Sequence, residues 1–142
     1  GYNYRMSNVL AAIGVAQMEV IEERVLKKRE IYEWYKEFLS DCDEVEFMPE
    51  LPNTRGNRWL TAMTFKTTDY NKIMKALEDV NVESRPLWKP MHLQPLFKEA
   101  KSFVDGTSEE LYNHGLCVAS STTMTEDDVK MVCDEIKKIV YI

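Results

Sequence analysis

Several signatures are missing from this 142-residue chain. Its three cysteines, Cys42, Cys117 and Cys133, lie far apart and none forms a CxxC pair. An odd number in no framework pattern argues against a disulfide-stapled secreted domain and reads as reduced thiols in a cytoplasmic protein. Histidine is scarce: His92 and His114 are the only two, so no metal site is expected. No run reaches the roughly 18 apolar residues that a membrane-spanning helix needs. No basic segment precedes an apolar one at the start, so no signal peptide is read. Positive charge is in deficit, with a net charge of −6, which argues against nucleic acid and anionic membrane as partners. Repeats and low-complexity tracts are lacking too. The length is that of one domain, enough to hide roughly 68–70% of the unfolded surface.

What is present begins with a long helical pattern. Ser7 to Leu39 reads as a single helix, roughly 50 Å long at 1.5 Å per residue, with Ser7 as its N-cap. From Val9 to Ile21 only Asn8 (just before), Gln17 and Glu19 are polar. That half is apolar on nearly every side and calls for burial on several faces. From Glu22 onward charges dominate. Met18, Ile21, Val25, Tyr32, Tyr35 and Leu39 then form one stripe at three- and four-residue steps. Lys28 interrupts the stripe, which argues against a coiled coil.

The remainder alternates strands with helices. Val45–Met48 has strand character, and Pro49, Pro52 and Gly56 punctuate the linker around it. Residues 58–67 alternate as a central strand. Thr68 or Asp69 opens a helix to Asp79, and Val82–Arg85 reads as a strand ended by Pro86. A proline-punctuated loop runs from Pro86 to Pro95, with a helical turn near Leu96–Ala100. A helix from Thr107 or Ser108 to Gly115, a strand at Leu116–Ala119 and a helix from Thr125 complete the order. Glu126, Asp127 and Asp128 in the first turn of that last helix form a capping-box pattern. The class expected is α+β, a small sheet with helices on one face behind a long leading helix. Residues 1–40 form the helical unit and residues 41–142 the α+β unit.

Two clusters carry chemistry. In Gly1-Tyr2-Asn3-Tyr4-Arg5-Met6-Ser7, an amide donor (Asn3) and a guanidinium (Arg5) precede a helix N-terminus, where free N–H groups and the dipole favour anions. The plainer alternative is a helix entry with surface polar groups. In Arg85-Pro86-Leu87-Trp88-Lys89-Pro90-Met91-His92-Leu93-Gln94-Pro95 the prolines stiffen a loop crowded with functional groups. There Trp88 suits stacking on a flat ring, Arg85 and Lys89 suit phosphate, and His92 suits a sugar oxygen or phosphate. The alternative is a rigid connector with a core tryptophan. His114 beside Gly115 reads as a helix-end dipole partner. Ser120-Ser121-Thr122-Thr123 has no His or Asp in a triad pattern and reads as a loop with capping.

Together the two motifs resemble the C-terminal third of a DegT/DnrJ/StrS-family sugar aminotransferase, an enzyme that uses pyridoxal phosphate (PLP). The helix text Val9-Leu10-Ala11-Ala12-Ile13-Gly14-Val15-Ala16-Gln17-Met18 and the closing Ser120-Ser121-Thr122-Thr123-Met124-Thr125-Glu126 extend the resemblance over the whole chain. The loop is most similar to members that aminate nucleotide-linked 4-keto-6-deoxy sugars, including UDP-linked bacillosamine-type enzymes. The resemblance implies the small C-terminal domain of a fold-type-I aminotransferase, a homodimer with active sites between subunits, and glutamate as amino donor. It implies that Asn3 meets the cofactor phosphate of the neighbouring subunit. It places Arg5, Arg85, Trp88, Lys89 and His92 near the nucleotide sugar. The family's cofactor lysine lies upstream of this segment, so no catalytic residue is expected here, and the chain reads as a piece of an enzyme. The competing class is a non-catalytic α+β ligand-binding or dimerisation module.

Overall fold

The computed structural model describes residues 3–141, so Gly1, Tyr2 and Ile142 lie outside the described residues. Among the described residues, five α-helices and four strands follow the expected mixed order. The leading helix is not continuous. It divides into α1 (Asn8–Glu19) and α2 (Ile21–Phe38) at Val20, whose φ of −114° and ψ of 6° leave the helical region. There the ladder tightens, the Val20 N–H donating to Gln17 O at 3.3 Å, and it restarts when Arg24 N–H donates to Val20 O at 3.1 Å. Val20 and Ile21 are both β-branched and gain less from helix than their neighbours. No residue of α1 is buried, so no packing enforces a straight run.

The stripe along α2 is accordingly shorter than the sequence suggests. Met18 and Ile21 are exposed, Val25 is half-buried, and full burial begins with Ile31, Tyr32, Tyr35 and Leu39. Ile31, Tyr35 and Leu39 share a core with residues of α3 (Tyr70–Asp79) and α5 (Glu126–Val140), namely Ile73, Leu77, Val129, Val132, Cys133 and Ile136. The three helices share one face of the sheet, as expected of an α+β layer domain. Apolar burial of this kind is the main favourable term in folding, about 1.5–3 kcal/mol for each large side chain removed from water.

The sheet is antiparallel throughout, in the order β1-β2-β4-β3. β1 is Val45–Phe47 and β2 is Thr61–Phe65. β3 is Arg85–Pro86 and β4 is Gly115–Val118. In β2 the alternation is clean: Thr61, Met63 and Phe65 are buried beneath the helices while Ala62 and Thr64 are half-buried on the other side. The strand is five residues long, not ten. Arg58 takes a left-handed φ of 50°, which breaks the extended run before Thr61. The third strand is displaced as well. Asn81 (φ 60°) turns the chain out of α3, and Val82 N–H returns to Leu77 O at 2.9 Å. Pairing therefore starts only at Arg85 and includes Pro86. A proline is tolerated there because β3 is an edge strand and needs no N–H on its outer side.

Two 3₁₀ turns, Met91–Leu93 and Pro95–Phe97, replace the single turn expected near Leu96–Ala100. The chain then enters α4 (Thr107–His114) through Gly106, whose φ of 91° suits only glycine well. Gly115 is needed for space. A Cβ there would collide with Leu87 and with the Leu111 carbonyl. The α5 terminus is as read from sequence: Thr125 and Asp128 exchange side-chain and backbone bonds in a complete capping box.

Candidate functional site

A cleft of about 760 Å³ opens at one end of the sheet, within the size range of small-molecule sites. Trp59 and Leu60 form one wall, the stretch from Asn81 to Pro86 another, and Ser120, Ser121 and the start of α5 close it. Trp88 reaches it from the proline-punctuated loop. Its indole lies 6.3 Å from that of Trp59, centroid to centroid, at an interplanar angle of 33°. This is within the 4.5–7 Å range of interacting aromatic pairs. Both rings remain about two-thirds exposed, at 64% and 66%, so each keeps a face for a ligand.

The sequence-predicted residues divide between the cleft and other places. Arg85 and Trp88 line it. The Arg85 guanidinium pairs with Glu83, at 2.6 Å and 2.8 Å, in an exposed ion pair. Such a pair is worth only about 0–1 kcal/mol, so an incoming anion exchanges with Glu83 at small cost. Lys89 and His92 are not among the lining residues. The Lys89 carbonyl accepts a bond from Gln94 Nε2 at 3.1 Å, which fixes the loop. His92 is half-buried, with Nε2 2.8 Å from Glu109 Oε1, tying the first 3₁₀ turn to α4. His114 sits in the last turn of α4, its Nδ1 3.0 Å from the Glu110 carbonyl, in keeping with a helix-end role.

Asn3 and Arg5 lie apart from the cleft, in the exposed segment before α1. Asn3 Oδ1 accepts the Arg5 N–H at 3.0 Å. With the oxygen engaged, the amide nitrogen is the end left to donate. Ser7 caps α1 by accepting the Leu10 N–H, and the first turn of α1 holds no acidic residue. This arrangement fits a phosphate group. Lys28 is pushed down by burial, but its ammonium is committed to the carbonyls of Trp59 and Ser120. Among the described residues no group of three or more His, Cys, Asp or Glu is placed to hold a metal ion.

Several residues that shape the cleft were not flagged by sequence. Trp59 was read as part of a strand and Ser120 as a capping loop. Ser120 in fact joins the two central strands, accepting Thr61 N–H at 2.9 Å and donating to Val118 O at 2.8 Å. Behind Trp59 lies a charged clamp. Arg58 is buried to 6% exposure, its guanidinium 4.0 Å over the Tyr32 ring and bonded to the Met48 carbonyl. Glu50 takes a two-pronged bond from Arg29 at 2.8 Å on each arm. That contact, then the Gly56 N–H, holds the Glu50 carboxyl down at about 2. The left-handed backbone of Arg58 is unfavourable by about 1–3 kcal/mol, which the clamp offsets. The signal available in sequence was Lys28 itself, a charge standing on an apolar stripe.

The sequence profile of the DegT/DnrJ/EryC1/StrS aminotransferase family matches residues 1–137. In Bacillus subtilis (strain 168), the protein named "Putative pyridoxal phosphate-dependent aminotransferase EpsN" is 45% identical over 134 residues, 90% of this chain and 34% of that protein. The GDP-perosamine synthase of Vibrio cholerae is 32% identical over 140 residues, 96% of this chain and 38% of that protein. Among solved structures, Helicobacter pylori PseC, an aminotransferase involved in the biosynthesis of pseudoaminic acid, has the same fold. It superposes with a TM-score of 0.86 at 16% identity, over 99% of this chain and 39% of that one. The chain thus spans about a third of the length of the curated relatives it matches, in their C-terminal part. A profile matched over nearly all its residues, with relatives of this identity, means that the chain belongs to the DegT/DnrJ/EryC1/StrS aminotransferase family.

Proposed function

We propose that this chain is the C-terminal portion of a PLP-dependent aminotransferase that transfers an amino group, with glutamate as donor, to a nucleotide-linked 4-keto-6-deoxy sugar. The observation that carries the reading is the cleft in which Trp88 and Arg85 meet. A flat, partly exposed indole suits a nucleobase, and a guanidinium with a weakly held partner suits a diphosphate. Bound PLP supplies the electron sink and amine carrier for such an exchange.

Each residue of this chain then has a binding role. The Asn3 amide holds the cofactor phosphate of the neighbouring subunit, and Arg5 beside it meets the substrate. Arg85 pairs with the nucleotide phosphates and Trp88 stacks on the base. Lys89, which has no ion-pair partner among the described residues, meets the same phosphates at the cleft rim. His92 presents the loop to the sugar while Glu109 holds its ring. The catalytic lysine belongs to the rest of the enzyme. The uncovered apolar surface of α1 packs on that remainder and on a second, identical subunit, in a cytoplasmic homodimer.

In the full-length enzyme, Trp88→Ala is expected to raise KM for the nucleotide sugar about 10-fold, equivalent to about 1.4 kcal/mol. KM for glutamate should not move. Equal effects on both substrates would refute a nucleotide site in the cleft. Asn3→Ala is expected to lower PLP retention, read from cofactor absorbance after dialysis, and unchanged retention would count against the phosphate contact.

A further inference from the structure

Lys28 reaches from its helix to the cleft wall. It leaves the middle of α2 and bonds to two backbone carbonyls on different strand connections, at 2.9 Å to Trp59 and more closely to Ser120. Those carbonyls flank the same end of the central strand pair, where Thr61 faces Val118. No carboxylate lies within ion-pair distance of Lys28 among the described residues, although most lysines and arginines of α2 have one. A half-buried ammonium without a counter-charge is unfavourable unless its protons are satisfied. Here they are satisfied by the two carbonyls. Tyr35, two turns further along α2, adds a hydrogen bond to the Ala119 carbonyl at 2.8 Å.

The Trp59 backbone is therefore restrained on both sides. Its carbonyl is held by Lys28, and its N–H donates to Asn57 Oδ1 at 3.1 Å. Its predecessor Arg58 is clamped under Tyr32 in a left-handed conformation. A fixed backbone narrows the rotamers open to the Trp59 side chain. The Trp59 ring in turn is what the Trp88 indole rests against. Trp88 has no other ring contact among the described residues, and its own side chain is exposed.

We propose that Lys28 is a positioning residue: by holding the Trp59 and Ser120 carbonyls it sets the Trp59–Trp88 indole pair, and through it the affinity of the cleft for a flat-ringed ligand. The proposal rests on the reading of the cleft as a nucleotide-sugar site, and it adds Trp59 as the rigid half of that recognition surface. Lys28 acts at a distance, touching neither ligand nor cofactor.

The test uses the full-length enzyme and two readouts. Two indoles this close couple their excited states and give a paired circular-dichroism band, identified as the part of the spectrum that Trp88→Phe removes. Lys28→Met is expected to lose at least half of that band and to raise KM for the nucleotide sugar about 3–10-fold, a loss of about 0.7–1.4 kcal/mol. The KM for glutamate and kcat should be unchanged. Lys28→Arg, which can still donate to both carbonyls, is expected to restore both properties. Adding Trp88→Phe to Lys28→Met should raise KM no further than Trp88→Phe alone, because both act through one indole pair. An intact band in Lys28→Met, or additive KM effects, would overturn the proposal. If Lys28→Met does not fold, Lys28→Gln, whose amide nitrogen sits one bond closer to the backbone than the lysine ammonium, carries the same two readouts with the same outcomes. Should Trp88→Phe remove the band yet leave KM unchanged, the cleft reading fails. The circular-dichroism arm still decides whether Lys28 sets the ring pair.

Discussion

The two helices on either side of Val20 invert the usual relation between composition and burial. α1 is nearly uncharged, yet Val9, Leu10, Ile13, Val15 and Met18 are all exposed and nothing in it is buried. α2 is densely charged, yet it buries Ile31, Tyr32 and Tyr35 completely or almost so. The difference is one of partners. α2 has the core and α5 to lie on, and it uses Lys28, Arg29 and Tyr35 to grip nearby loops. α1 meets α2 where the two join, and none of its residues is buried. Apolar content marks which surface needs covering, whereas the arrangement of neighbours determines which surface is covered.

The largest contrast should come from truncating the two helical surfaces. Ile136→Ala, at 0% exposure in the core, is expected to destabilise the chain by about 2–5 kcal/mol in chemical denaturation. Ile13→Ala in α1 should stay within about 0.5 kcal/mol in the same assay. Comparable losses at both sites would break the comparison, since α1 would then be packed. Next in size is Gly115→Ala, whose methyl meets Leu87 and the fixed Leu111 carbonyl. A loss of about 1–3 kcal/mol is expected from such overpacking, and a neutral result would mean that the α4–β4 junction can yield. Thr125→Ala removes the α5 cap and should lower stability by about 1 kcal/mol, measured by the same denaturation midpoint.

The smallest effect concerns the clamp behind α2. Glu50 titrates at about 2 in the fold against an ordinary value of 4.5. Its folded value is the lower one, so its contribution is fully present above about 4.5 and is lost as the pH falls toward 2. Glu50→Gln should flatten the acid limb of the stability profile over that interval while leaving the core unaltered. An unchanged profile would show that Arg29 and Glu50 do not hold together in solution.

Much of the architecture could be read from local chemistry. The Thr125 cap, the α3 start at Asp69 and the end of α4 at Gly115 depend on residues adjacent in sequence, and the structure places them as expected. The errors arose where distant contacts decide. The break at Val20 reflects what α1 lacks as a neighbour. The late start of β2 reflects a left-handed Arg58 sustained by its contacts with Tyr32, Met48 and Glu50. For the site, Arg85 and Trp88 were visible because prolines crowd them into one loop. Trp59, Ser120 and Lys28 were not, since their meeting spans up to 92 positions of chain.

Pro86 has a consequence for how copies of the chain can meet. β3 is two residues long and carries an imino nitrogen, and β1, on the opposite margin, is three residues long and is followed closely by Pro49. Neither margin offers the unpaired ladder that templates edge-to-edge aggregation. Strand addition is thereby disfavoured, and the chain's uncovered apolar surface lies elsewhere, on α1.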